Sequence, residues 1–168
     1  LDLHGSPSQP PVLSVFGVML APDQEAAASE LVRSCRPGGT IALANWTPSG
    51  FIGEMFQVVG RHVAPPAGLR SPLAWGTPER LGELLNGSVR SLTTTRRQFT
   101  FRYLSPQHFV DFFRLHYGPT LKAFDALAPE RRDALAADLA RLAERRDRNA
   151  SGALAIPAEY LEVLAVRS

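Results

Sequence analysis

Four side chains of this 168-residue chain could accept a proton from a reacting hydroxyl or amine. They are His62, His108, His116 and Tyr117. We favour His116 and Tyr117 as catalytic residues, because they lie between the aromatic residues of a predicted helix and a Gly-Pro break. The alternative, a partly exposed structural histidine stacked on Phe112 or Phe113, stays open at this point.

Aromatic residues supply the candidates for a pocket that binds a small-molecule substrate. The candidates are Trp46, Phe51, Phe56, Trp75 and Phe113. Trp46 and Phe51 are the best placed, since they follow the carboxyl end of a predicted strand. Aromatic residues at helical spacing more commonly form the core, so both interpretations are kept.

The sequence lacks the residues that several other kinds of functional site require. Cys35 is the single cysteine, which excludes an internal disulfide and a cysteine-based zinc site. The histidines show no ligand spacing with a carboxylate partner, so we predict no metal. The Gly-x-Ser-x-Gly pattern of a serine nucleophile is absent.

The composition is that of a globular protein. Hydrophobic residues make up 45% and charged residues 20%, which argues against disorder. The net charge of +2 is too small to predict binding to nucleic acid. The sequence has no apolar run that could span a bilayer and no signal-peptide pattern at its start. We therefore expect a cytoplasmic protein with neither a nucleic-acid nor a membrane partner.

The first half of the sequence predicts a strand, a helix and a second strand. The strands cover Val12–Phe16, which we expect to be buried, and Thr40–Trp46. The helix between them runs from Gln24 to about Cys35, with Asp23 as its N-cap, and stops at Pro37-Gly38-Gly39. Such a unit implies parallel strands with a right-handed crossover.

The second half predicts a helical insertion between two final strands. Helices are predicted over Pro48–His62 and after Thr77, followed by a strand over Val89–Tyr103. A helix then begins at Ser105 and breaks at Pro119, and another covers Pro129–Arg148. The last predicted element is a strand over Ala155–Arg167. The final two strands are expected to pair antiparallel. We predict a loose lead-in over residues 1–11 and one α/β domain over 12–168, with the helical insertion at about 105–149.

Two strings resemble the fourth and fifth strands of class I S-adenosylmethionine-dependent methyltransferases. They are LSVFGVMLAPD (Leu13–Asp23) and LVRSCRPGGTIALA (Leu31–Ala44). The strings NWTPSGFIGEMF and IPAEYLEVLAVR are similar to a bacterial subgroup that methylates small molecules. The resemblance implies a partial Rossmann-like methyltransferase sheet, with two parallel strands, a C-terminal antiparallel pair, helices on both faces and the insertion as a lid.

The resemblance also implies an enzyme that uses S-adenosylmethionine as methyl donor. It implies that Ser14, Val15, Phe16 and Gly17 line the methionine end of this cofactor, with Gly17 allowing close approach of the backbone. Methyl transfer requires mainly in-line positioning of the reactants, and the lid would exclude water.

The sequence departs from the family in its upstream half. Neither the Gly-rich loop nor the acidic residue that contacts the ribose is found, so the chain resembles a truncated C-terminal half. Without an upstream strand, Val12–Phe16 becomes an apolar sheet edge. Two alternatives follow: a non-catalytic relative that pairs with a second copy or another protein through this edge, and a lipophilic-ligand module without a cofactor.

Overall fold

A computed structural model describes residues 11–65, 67–149 and 152–168, so the predicted lead-in lies outside the described residues except for Pro11. The strands are β1 (Val12–Val15), β2 (Thr40–Trp46), β3 (Val89–Tyr103) and β4 (Leu154–Arg167). The helices are α1 (Gln24–Ser34), α2 (Phe51–His62), α3 (Pro78–Leu85), α4 (Pro106–His116), α5 (Gly118–Asp125) and α6 (Pro129–Arg146). Two short 3-10 helices cover Val18–Leu20 and Pro72–Gly76. Over the described ranges, no helix combines the length and the apolar character needed to cross a membrane.

The four strands form one sheet in the order β1-β2-β4-β3. β1 and β2 are parallel, and their register aligns Val12 with Ile41. β4 runs antiparallel to β2. The Arg167 N–H donates to the Gly39 carbonyl oxygen just before β2 begins, and the Thr47 N–H donates to the Glu159 carbonyl oxygen just after β2 ends. The prediction that Thr40–Trp46 is an interior strand beside the first strand is confirmed, as is the α/β fold class.

Local capping residues begin the helices where the sequence predicts. The Asp23 carboxylate accepts a hydrogen bond from the backbone N–H of Ala26 at 2.8 Å, which caps α1. The Thr77 and Ser105 hydroxyls cap α3 and α4 in the same way. The predicted break at Pro119 is confirmed, because α4 ends at His116 and α5 begins at Gly118.

The Pro37-Gly38-Gly39 turn needs both of its glycines. Gly38 has a φ of +71°, where residues with a side chain are strained. A Cβ on Gly39 would lie 2.9 Å from the Arg36 carbonyl oxygen. The Gly38 N–H donates to the carbonyl oxygen of Arg167 at 3.0 Å. The turn that ends α1 is therefore hydrogen-bonded to the end of β4.

The expectation that β1 is a buried strand is wrong. The Leu13 side chain is 67% exposed and Val15 58%, whereas Val12 and Ser14 on the opposite face are half-buried. The physical reason is the position of β1 at the edge of the sheet, where the described residues cover one of its two faces. The apolar sheet edge that the sequence predicts is thus present among the described residues.

The chain divides into two compact units. Of the described residues, the first unit contains those up to Asn45 together with Arg70–Arg97 and Leu161–Ser168. The second unit contains those within Trp46–Leu69 and Gln98–Tyr160. The large buried side chains of the first unit are Met19, Ile41, Trp75, Leu81 and Leu85. Those of the second unit are Phe51, Ile52, Met55, Phe109, Phe124, Leu135 and Leu139.

Candidate functional site

The carboxyl ends of β1 and β2 lie side by side in the first unit. The Phe16 backbone N–H donates to the Ala44 carbonyl oxygen at 2.8 Å, directly after the last residue of β1. Val15 aligns with Ala44, so Phe16 and Asn45 each directly follow the last aligned pair of the two strands. Open α/β sheets bind their ligands beyond the carboxyl ends of parallel strands, so this position is the candidate site.

Phe16 has a backbone conformation that bulky residues rarely adopt. Its φ of +57° lies in the left-handed region, which costs about 1–2 kcal/mol for a residue with a Cβ. Gly17, which we expected to allow close approach, has an ordinary φ of −84°. A Cβ on Gly17 would lie 3.6 Å from the Ser14 hydroxyl, an ordinary contact. The conformational demand at this turn therefore falls on Phe16 instead of the glycine.

Ser14 fixes the turn that follows β1. Its hydroxyl oxygen accepts a hydrogen bond from the backbone N–H of Val18 at 3.0 Å, at the start of the first 3-10 helix. The four residues predicted to contact the cofactor, Ser14 to Gly17, thus belong to the end of one strand and its turn. Local strain held by surrounding hydrogen bonds is typical of functional sites.

The Asn45 side chain is buried without a hydrogen bond. It is 0% exposed, and among the described residues neither its Nδ2 nor its Oδ1 has a partner. A buried amide in this state loses about 1–3 kcal/mol of solvation that no contact replaces. Sequence reasoning did not select Asn45 as a site residue. The available signal was a polar residue inside the apolar strand TIALANW.

A second buried amide in the same unit shows the opposite arrangement. Gln24 is 2% exposed, and its Nε2 donates to the Ser71 carbonyl oxygen at 3.0 Å. Its Oε1 accepts from Nε of Arg80, also at 3.0 Å. The fold thus pairs both ends of the Gln24 amide, and it pairs neither end of the Asn45 amide.

Three of the predicted substrate residues meet in the second unit. Trp46, Phe51 and Phe113 have ring centroids 5.6, 6.3 and 5.7 Å from that of Phe101. All three are buried, an arrangement typical of a packed aromatic core. Their role in substrate binding stays a prediction.

The other two predicted substrate residues lie apart from this cluster. Phe56 is half-buried and meets Tyr117 edge to face at 6.5 Å. Trp75 belongs to the first unit and is fully buried, and its Nε1 has no hydrogen-bond partner within the described ranges. Neither observation tests a role in substrate binding.

The two predicted catalytic residues differ in their surroundings. His116 is exposed, and its ring lies 4.7 Å from that of Phe112, as in the structural alternative weighed from the sequence. Tyr117 packs against Phe113, and burial raises the pKa of Tyr117 to about 12. The Tyr117 hydroxyl therefore keeps its proton near neutral pH, which suits a hydrogen-bond donor better than a base.

His62 has a carboxylate partner that its sequence neighbourhood does not reveal. Its Nε2 lies 2.7 Å from Oδ2 of Asp138, 76 residues further along the chain. The hydrogen bond from His62, followed by one from Arg141, holds the pKa of Asp138 below its ordinary value. The pair links the end of α2 to α6.

The chain has relatives among curated proteins, and no family model matches it. It is 42% identical over 116 residues to an uncharacterized protein of Mycobacterium tuberculosis H37Rv, a match that covers 67% of this chain and 42% of the relative. A second uncharacterized protein of the same strain is 38% identical over 120 residues, covering 70% of this chain and 43% of the relative. The matched segment thus spans less than half of the length of these relatives.

The chain is also similar in structure to a solved protein. The crystal structure of a putative methyltransferase from Bacillus halodurans aligns with 92% of this chain and 62% of its own, with a TM-score of 0.47 and 12% identity.

Proposed function

We propose that this chain is part of an S-adenosylmethionine-dependent methyltransferase that acts on a small molecule. The proposal rests on the sequence resemblance and on one structural observation. The strained Phe16 and the unpartnered Asn45 amide each follow the last aligned pair, Val15 and Ala44, at the carboxyl ends of two parallel strands. A ligand contacting this end of the sheet would supply the hydrogen bonds that the described residues do not.

The cofactor would occupy the turn at Ser14 to Gly17, with its methionine end toward the strand. When bound, it supplies an electrophilic methyl group on sulfur. The Phe16–Gly17 backbone would position this group, and the exposed Gly17 leaves room for a ligand. The orphaned Asn45 amide fits a polar ligand at this place, since it offers both a donor and an acceptor.

Two residues are proposed for the transfer itself. His116 would accept the proton that a hydroxyl or amine acceptor loses, because a neutral imidazole ring carries one nitrogen with a free lone pair. Tyr117 would donate a hydrogen bond, because its raised pKa of about 12 keeps it protonated. The aromatic residues Trp46 and Phe51 would then contact the acceptor.

Calorimetric titration with S-adenosylmethionine tests the proposal. Gly17→Trp places a bulky side chain on an exposed glycine with an ordinary φ, and we expect it to weaken binding at least about tenfold. Gly82→Trp is the matched control, since a Cβ on this α3 glycine would meet no atom within 4 Å. No saturable heat with the unmodified chain, or equal affinity in both variants, would contradict the proposal.

A second candidate function is supported by the exposed face of β1. Leu13 and Val15 are apolar and mostly exposed on an edge strand, the feature by which sheets pair with other chains. In this alternative the chain is a non-catalytic module that pairs with a second copy. Sedimentation decides between them: a dimer lost in Val15→Lys favours the module, and a monomer that binds S-adenosylmethionine favours the enzyme.

A further inference from the structure

The Asn45 amide is the buried polar group that the described part of the fold leaves with both ends unpaired. Phe16 follows the last residue of β1, and its backbone N–H donates to the carbonyl oxygen of Ala44 at 2.8 Å, so the Phe16 backbone lies beside the peptide that joins Ala44 to Asn45. Phe16 combines partial burial with a left-handed backbone. Two energetic costs, an unsatisfied amide and a strained residue, therefore occur together at the carboxyl ends of β1 and β2.

Both costs end if a ligand reaches Asn45 and Phe16 relaxes. A ligand group that pairs with Nδ2–H and Oδ1 removes the desolvation cost of the amide. A shift of Phe16 out of the left-handed region removes its strain. Since Asn45 is fully buried, a ligand can reach it only when a neighbouring side chain moves, and Phe16 is the neighbour whose movement releases strain.

The surroundings of Asn45 select the chemistry of the ligand group. Ile41 and Leu43, which share its face of β2, are buried and apolar. A charged group would lose much more solvation here than a neutral one. The amide itself presents a donor beside an acceptor, so its complement is a neutral group with an acceptor beside a donor, such as a carboxamide or the edge of a heterocyclic base.

We infer that the Asn45 side chain binds a neutral ligand group bearing a hydrogen-bond donor beside an acceptor, and that Phe16 moves to admit it. The inference rests on the proposed function, because it takes the carboxyl ends of β1 and β2 as the ligand-binding edge. It goes further in assigning a polar contact to a residue of β2 and a gating role to Phe16.

Nuclear magnetic resonance of the Asn45 side-chain NH₂ tests both parts. Its signals are those that disappear in Asn45→Leu. We expect millimolar benzamide to shift them saturably and benzoate, the charged analogue of the same shape, to leave them unchanged. We expect their hydrogen exchange with solvent to be at least about tenfold faster in Phe16→Ala than in the unmodified chain.

Leu13→Ala is the matched control, since Leu13 lies on the exposed face of β1 outside the Ser14–Gly17 turn and should leave the exchange rate unchanged. If Phe16→Ala unfolds the chain, Phe16→Leu replaces it with the same expected direction. Equal exchange in both variants, equal shifts with benzoate, or a persistent contact of the NH₂ with a trapped water unaffected by benzamide would overturn the inference. A shift with benzamide but none with S-adenosylhomocysteine would leave the inference standing and contradict the proposed cofactor.

Discussion

Two buried side-chain amides, one at the start of α1 and one at the end of β2, differ in their hydrogen bonding. At α1, Gln24 bridges Ser71 and Arg80 and ties three segments of the first unit together. At β2, Asn45 is at least as deeply buried, and its side-chain amide bonds to no described residue. A fold that satisfies one amide fully has the means to satisfy another. This difference is the one expected if Gln24 stabilises the fold and Asn45 has the ligand-binding role inferred above.

Replacing each amide by leucine separates these roles and should give the largest effects. Asn45→Leu removes an unsatisfied group and should raise the free energy of unfolding by about 2 kcal/mol. Gln24→Leu leaves the Ser71 carbonyl oxygen and the Nε–H of Arg80 without the Gln24 amide and should lower the free energy of unfolding by about 2 kcal/mol. Urea denaturation measures both. A loss of stability in Asn45→Leu as large as that in Gln24→Leu would erase the distinction.

Strain at Phe16 is measured by comparing two small replacements. Phe16→Gly and Phe16→Ala both remove the ring, but glycine tolerates a φ of +57°. We expect Phe16→Gly to be more stable than Phe16→Ala by about 1 kcal/mol, the reverse of the usual order of these residues in regular structure. Thermal unfolding of both variants provides the comparison. Greater stability of the alanine variant would show that Phe16 is unstrained.

Gly17→Ala should change the free energy of unfolding by a smaller amount. It should stabilise the chain, whereas replacing a glycine that the backbone requires would destabilise it. The φ of Gly17 is ordinary and a new Cβ would make an ordinary contact with Ser14. Alanine also restricts the unfolded chain, so we expect a gain of about 0.5 kcal/mol. A clear loss of stability in the same denaturation assay would show that the turn requires a glycine at position 17.

Acid should loosen the start of α1 and leave the end of β2 unaffected. The hydrogen bond from Arg80 is the main cause that lowers the pKa of Glu25 below its ordinary value of 4.5. A lowered folded-state pKa contributes stability above the ordinary pKa, and this stability is lost as the pH falls through the folded value. The stability difference between the unmodified chain and Glu25→Gln should therefore shrink in acid. The difference for Asn45→Leu should not change, and an equal pH dependence would contradict this account.

The elements of this fold were predictable where local chemistry determines them. Asp23, Thr77 and Pro119 act within one helical turn, so their positions in the sequence are enough to mark helix boundaries. The strand Thr40–Trp46 was recognised because its apolar run begins directly after the Gly38-Gly39 turn. Neighbouring residues alone supply these signals.

The features that escaped prediction depend on residues far apart in the sequence. The exposure of Leu13 follows from the place of β1 in the sheet order, which its apolar sequence does not encode. The pairing of His62 with Asp138 arises from the packing of α2 on α6. The strain at Phe16 was also missed, because the sequence drew attention to the adjacent Gly17, which was expected to allow close approach of the backbone.

Hydrogen–deuterium exchange with and without S-adenosylhomocysteine tests the central claim most directly. If the carboxyl ends of β1 and β2 bind the cofactor, saturating ligand should slow exchange in peptides that contain Phe16–Leu20 and Asn45–Thr47, and should leave peptides from α3 unchanged. Unaltered exchange at Phe16–Leu20 under the same conditions would contradict the account.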